Sequence, residues 1–142
     1  MATLYGVNKT KTLSPTSDNI VSPGTLGGRV RVHTDSITLA AAAIGDIVYL
    51  GKTLQDGAII VGIVVQNAAL GAGVTYRIGD INDDDRYMTD IAADAPAVTR
   101  NLNIAGNQYK IGANDDDSDI VMKIAGGAAT GLVKVSIFYT ED

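Results

Sequence analysis

At 142 residues the chain suits one compact domain, long enough to bury about 68 to 70% of the surface its unfolded form would expose, so neither a disulfide nor a metal is needed for stability. It contains no cysteine, which excludes disulfide frameworks, thiolate metal sites and cysteine nucleophiles. Its formal charge of −5 is uneven, with +1 over residues 1–71 and −6 over residues 72–142; nucleic acid is disfavoured as a partner, because phosphate backbones require clustered Lys and Arg.

In chain order, residues 1–28 come first. They are rich in Ser, Thr, Asn, Gly and Pro with no sustained hydrophobic period, and the opening "MATLYGVNKTKTLSP" lacks the apolar core of a secretory signal. Such a segment reads as an extended arm that docks on something else. Pro15 and Pro23 bias it toward extended geometry. Its apolar residues Leu4, Tyr5, Val7, Leu13, Ile20 and Val21, with Arg29 and Arg31 at the junction, are the expected contact residues.

Residues 29–142 are expected to form a single domain, in which alternation with period two dominates. "RVRVH" places Val30 and Val32 on one face, expected to be buried, and Arg29, Arg31 and His33 on the other. "SITLA" and "DIVYLGK" follow as further strands, separated by a turn at Gly45. "AIIVGIVV" is apolar on both faces; it is either a central strand covered on both sides or one with a face in an intermolecular contact. The longer apolar run containing it is broken by Gln66 and Asn67 and falls short of the ~18 residues of a membrane span, so a soluble protein with no membrane partner is expected.

Further on, "VTYRIG" alternates Val74, Tyr76 and Ile78 against Thr75 and Arg77, and "YKIG" repeats the pattern. "DIVMKI" sets Ile120, Met122 and Ile124 on one side, and "GLVKVSIFYT" alternates Val133, Val135, Ile137 and Tyr139 against Lys134, Ser136 and Thr140. "GGAATG" between these last two reads as a hairpin turn. The alanine-rich "TLAAAAIGD" and the Pro96-interrupted "TDIAADAPAV" leave room for one short helix at most. About eight or nine short strands between Gly, Asn and Asp turns indicate an all-β fold, an antiparallel β-sandwich of jelly-roll or immunoglobulin-like type.

Chemistry-bearing residues are few. His33 is the single histidine, and no Gly-x-Ser-x-Gly elbow precedes a helix. Sugar-binding platforms are scarce, with no tryptophan and only Phe138 as phenylalanine. No catalytic site is expected.

Two stretches resemble one another, "YRIGDINDDDRYMTDI" from Tyr76 and "YKIGANDDDSDIVMKI" from Tyr109. A helix-loop-helix calcium loop needs glycine at its sixth position and a bidentate Glu at its twelfth. Counting from Asp83 or Asp115, the sixth residue is Met88 or Ile120, and the only glutamate is Glu141. Three adjacent aspartates on an extended segment cannot all face one ion. The preferred reading is two solvated Asx-type turns and no cofactor. The alternative is a calcium-dependent binding or adhesion module pooling Asp83 and Asp85 with Asp115 and Asp117 from adjacent loops.

The segments "SITLAAAAIGDIVYLGKTLQDGAIIVGIVV", "VTYRIGDINDDDRY" and "GGAATGLVKVSIFYT", spanning about residues 36 to 140, are similar to small structural proteins from the head genes of tailed bacteriophages, some of which are capsid decoration or cement proteins. The resemblance implies a non-enzymatic all-β protein on the outer surface of the assembled head. It further implies the major capsid protein as partner, trimers over symmetry axes, and residence in the virion after a soluble phase in the host cytoplasm.

Overall fold

The computed structural model describes residues 4, 7–16, 20, 28–113 and 118–141. In the segment expected to be extended, Val7–Leu13 instead form a seven-residue helix, α1, which ends ahead of Pro15. The described strands are Val30–Ala42 (β1), Ile47–Leu50 (β2), Ile59–Asn67 (β3), Thr75–Gly79 (β4), Met88–Ala92 (β5), Ala97–Thr99 (β6), Ile120–Ala125 (β7) and Ala129–Thr140 (β8). They build two four-stranded sheets, ordered β1-β8-β3-β6 and β2-β7-β4-β5, with every neighbouring pair antiparallel. The sheets face one another across a core containing Ile60, Ile63, Tyr76, Ile78, Tyr87, Met122, Ile124 and Ile137, so the chain is the expected antiparallel β-sandwich.

β8 follows its sequence pattern as far as Tyr139: Val133, Val135, Ile137 and Tyr139 are buried, and Lys134 and Ser136 look outward, whereas Thr140, expected with the outward set, is buried at the strand's end. β1 does not. Val30 and Val32 are 60% and 57% exposed, while Leu39 is buried and Ile37 packs on the core. The reason is register. "RVRVH" and "SITLA" are one continuous 13-residue strand, and a continuous strand has one parity. Directly opposed residues of an antiparallel pair share a face, and β8 places its inward set opposite Arg31, His33, Asp35 and Ile37. The outward face therefore receives Val30 and Val32.

The polar inward set of β1 is accommodated because β1 is an edge strand whose neighbour across the sandwich is the link after β2. The Gly51 and Ser36 N–H groups donate to the Asp35 carboxylate, each at 2.8 Å. Gly51 sits at φ 71°, and a Cβ there would lie 2.6 Å from the His33 ring, so the close approach requires glycine. Glu141 lies 3.6 Å from Lys52 and 3.9 Å from Arg31, capping the same end.

The backbone donors from Gly51, then Ser36, hold the Asp35 carboxyl below its ordinary value of 3.8. A depressed carboxyl contributes stability that is complete above the unfolded pKa and is lost as pH falls through the folded one. Asp35→Asn should therefore lie below wild type by a constant margin above about pH 5, with the margin shrinking as acid is added below 3.8. Urea midpoints of the two chains against pH measure this; a margin that is flat down to pH ~2 would remove Asp35 from the account.

β3 resolves its two-faced sequence through a bulge. Its pairing with β8 shifts between Ile60 and Gly62, so that Ile60 and Ile63, three apart, are both buried. β3 is central in its sheet, but this chain leaves the outward face of the strand, Val61 and Val64, open to solvent to differing degrees.

The allowance of one short helix at most holds at both alanine-rich stretches: the alanine tract stays in β1 through Ala42, and "TDIAADAPAV" supplies β5 and β6, because strand pairing overrides alanine's helical preference. Two local expectations are corrected. "YKIG" is not a strand; it makes a single bridge, Lys110 to Ile59. "GGAATG" is not a hairpin within one sheet, since β7 and β8 belong to different sheets. Gly126, at φ 72°, carries the chain across, and a Cβ there would overlap the Gly73 carbonyl.

Candidate functional site

The first acidic stretch is built on the end of β4. Beyond Gly79 the chain folds back over the outer face of its own sheet, and a Cβ on Gly79 would overlap the backbone of Asp83 and Asp84. Asp80 is fully buried. Its Oδ1 accepts the N–H groups of Asn82 and Asp83, both at 2.9 Å, as in an Asx turn. Its Oδ2 accepts from Arg86 Nε.

Each further carboxylate is also engaged. Asp84 receives Lys123 Nζ at 2.6 Å and lies 3.7 Å from Arg77. Asp83 lies 3.8 Å from Arg86, and Asp85 accepts from the Thr89 hydroxyl at 3.2 Å. Arg77 also bonds Asp90 at 2.6 Å; that pair is exposed and adds little stability, because solvent and salt screen it. Burial, then the neighbouring Asp85, push the Asp83 carboxyl above its ordinary range against the pull of Arg86. The cluster holds five carboxylates, Asp80, Asp83, Asp84, Asp85 and Asp90, and three cations, Arg77, Arg86 and Lys123, so it retains negative charge.

The described residues that flank the second acidic stretch lie near the first. Gly79 pairs with Val121 across β4 and β7, so the start of β7 lies beside the end of β4. Tyr109 touches two residues of the first loop: its ring lies 4.1 Å beneath the Arg86 guanidinium carbon and edge-on to Tyr87, with centroids 6.2 Å apart. The alternative ligands Asp115 and Asp117 lie outside the described residues. Among the described residues, no group of three or more His, Cys, Asp or Glu is placed to hold a metal ion.

Beside the loop is a hollow of about 320 Å³ lined by Ile47, Val121, Lys123 and residues 80–84. Val121 is buried, while Ile47 and Ile81 are exposed at its margin. Tyr49, opposite Val121 on β2, stands on the same face and is 59% exposed. These residues had no assigned role in the sequence. The available signal was "IVYL", four successive apolar residues in one strand, which must leave one apolar face without core contacts. On the other sheet, the outer face presents a shallow groove of about 520 Å³ with Thr34, Ser36, Val64, Gln66, Val98 and Lys134 along it.

Of the expected contact residues, Leu4, Val7, Leu13, Ile20 and Arg29 are exposed. Arg31 is exposed too, within reach of Glu141. Tyr5 and Val21 lie outside the described residues. Among the described residues, no helix is long and apolar enough to cross a membrane.

No protein-family model matches the chain, and no curated protein matches its sequence. Solved structures do match in fold. A chain of the cyanophage Pam1 capsid asymmetric unit superposes with a TM-score of 0.68 at 20% identity, over 91% of this chain and 99% of that one. A chain of the Ralstonia phage GP4 capsid gives 0.62 at 23% identity, over 81% and 86%. One from the acid-stable capsid of Helicobacter pylori bacteriophage KHP30 gives 0.55 at 10% identity, over 79% and 87%. The sandwich of this chain, nearly end to end, is therefore a fold shared with chains of three phage capsid structures.

Proposed function

We propose that this chain is a structural protein of a phage virion, a decoration or cement protein that binds the outer surface of the assembled head. The supporting observation is the fold shared with chains of three capsid structures. Its partner is then the major capsid protein, and its oligomer a trimer placed where capsid subunits meet. Residues 1–28 act as a contact segment, consistent with the exposure of Leu4, Val7, Leu13 and Ile20.

The mechanism is stabilisation by binding alone. A protein that binds the assembled, expanded shell and not its alternatives stabilises that shell by mass action. An arm ordered on docking covers extended surface at modest affinity for its area, and many copies on one particle compensate through avidity. No catalytic residue is needed. The ring of His33, the single histidine, packs against Gly51 instead of lining a cleft.

Mixing the purified chain with undecorated capsids of its own phage should give co-sedimentation and a higher capsid melting temperature. Absence of the chain from the capsid pellet at every ionic strength overturns the proposal.

A further inference from the structure

Helix α1 carries Val7 and Leu13, 74% and 54% exposed, and neither is covered by the body of the chain. Seven residues are too few for an isolated helix to be stable in water, since such helices are marginal below about 12 to 15 residues. α1 is thus a segment suited to being held by a surface outside its own fold. Its chemistry is specific: Val7 has Lys11 one turn on, and Leu13 has Lys9 one turn back. Each face of the helix thus pairs one apolar side chain with one ammonium group.

The hollow beside the acidic loop has the complementary chemistry. Ile47, Tyr49 and Ile81 are 48%, 59% and 44% exposed around the buried Val121, and Asp83 and Asp84 stand on the rim. Lys123, also on the rim, is already engaged by Asp84. The surrounding cluster keeps an excess of carboxylates over cations, and the cation nearest Asp83, Arg86, lies 3.8 Å away and is shared with Asp80. An apolar floor inside a charged rim is the usual anatomy of a protein contact.

We infer that the hollow formed by Ile47, Tyr49, Ile81 and Val121 is the docking site for the α1 segment of a second copy, with Lys9 and Lys11 facing the Asp83–Asp84 rim. This rests on the contact role proposed for the arm and is independent of the capsid. The contact is heterologous, one arm into one hollow, so it can close a ring of copies such as a trimer.

The absence of cysteine from the chain makes the test direct. Full-length chains bearing Val7→Cys or Leu13→Cys are each mixed with a mass-tagged chain bearing Ile47→Cys under mild oxidation. At least one mixture should yield the mixed disulfide dimer, and adding Tyr49→Lys to the tagged chain should reduce its yield at least ten-fold. Lys9→Glu with Lys11→Glu should weaken self-association at least ten-fold by sedimentation at low salt, less at high salt. Three results overturn the inference: neither mixture cross-links; a single chain carrying both Leu13→Cys and Ile47→Cys, oxidised alone, closes only within itself; or association is unchanged by Tyr49→Lys and by the lysine reversals. Failure to bind capsids while these cross-links form would instead overturn the decoration reading alone.

Discussion

Asp80→Ala is expected to destabilise the chain by about 3 to 5 kcal/mol, the range for breaking a buried ion pair by removing one partner. Asp80 is fully buried, and its pair with Arg86 is the least exposed one described. Alanine at 80 removes three acceptor contacts together: the Asn82 and Asp83 N–H groups and the Arg86 guanidinium. A partly buried cation is left beside the Tyr109 ring with only the more distant Asp83 to face. In a domain of this size each kcal/mol lowers the melting temperature by about 2 to 4 °C. Arg86→Met should cost a comparable amount, and the double variant less than the two singles combined, because each single change strands the other's charge. Urea denaturation of the three variants measures this cycle. A loss below about 1 kcal/mol for Asp80→Ala would mean that the pair behaves as a surface contact.

Gly79→Ala should have an effect of similar size by a different route. No side chain fits there, because the backbone of Asp83 and Asp84 occupies the space. Either β4 shifts or the loop lifts from the sheet, and overpacking of this kind costs about 1 to 3 kcal/mol before any lost contact is counted. Lifting the loop also separates Asp84 from Lys123 and detaches Tyr87 N–H from the Ile78 carbonyl. The loop contribution is partly ionic, so Gly79→Ala should be less salt-sensitive in its melting temperature than wild type. Equal melting temperatures for the two chains would show that the loop is free to move aside at no cost.

The two glycines of the paired Tyr-x-Ile-Gly stretches illustrate what local pattern can and cannot convey. Gly79 and Gly112 occupy the same place in the two copies, yet only the first ends a ladder strand. Tyr76 and Ile78 have neighbours on both sides, β5 and β7. Lys110 meets only Ile59, and Tyr109 serves instead as the ring on which Arg86 and Tyr87 rest. The same residues thus take different structures because different partners surround them. The acidic loop is a similar case. Its aspartates were legible as turn formers, but Lys123 is 39 residues from Asp84 in sequence, and no local spacing links them.

The sequence by itself determined that this is an all-β chain and which residues of β4, β7 and β8 form the core. Alternation of apolar and polar side chains is a local property, and a strand's own residues carry it. The tertiary structure decided the parity of β1, the crossover at Gly126 and the hollow beside Val121. Each depends on which strand lies alongside which. A single-residue change of register exchanges every inward side chain for an outward one. Val30 and Val32 are on the surface because β8, about a hundred residues away, fixes the register in which β1 must pair.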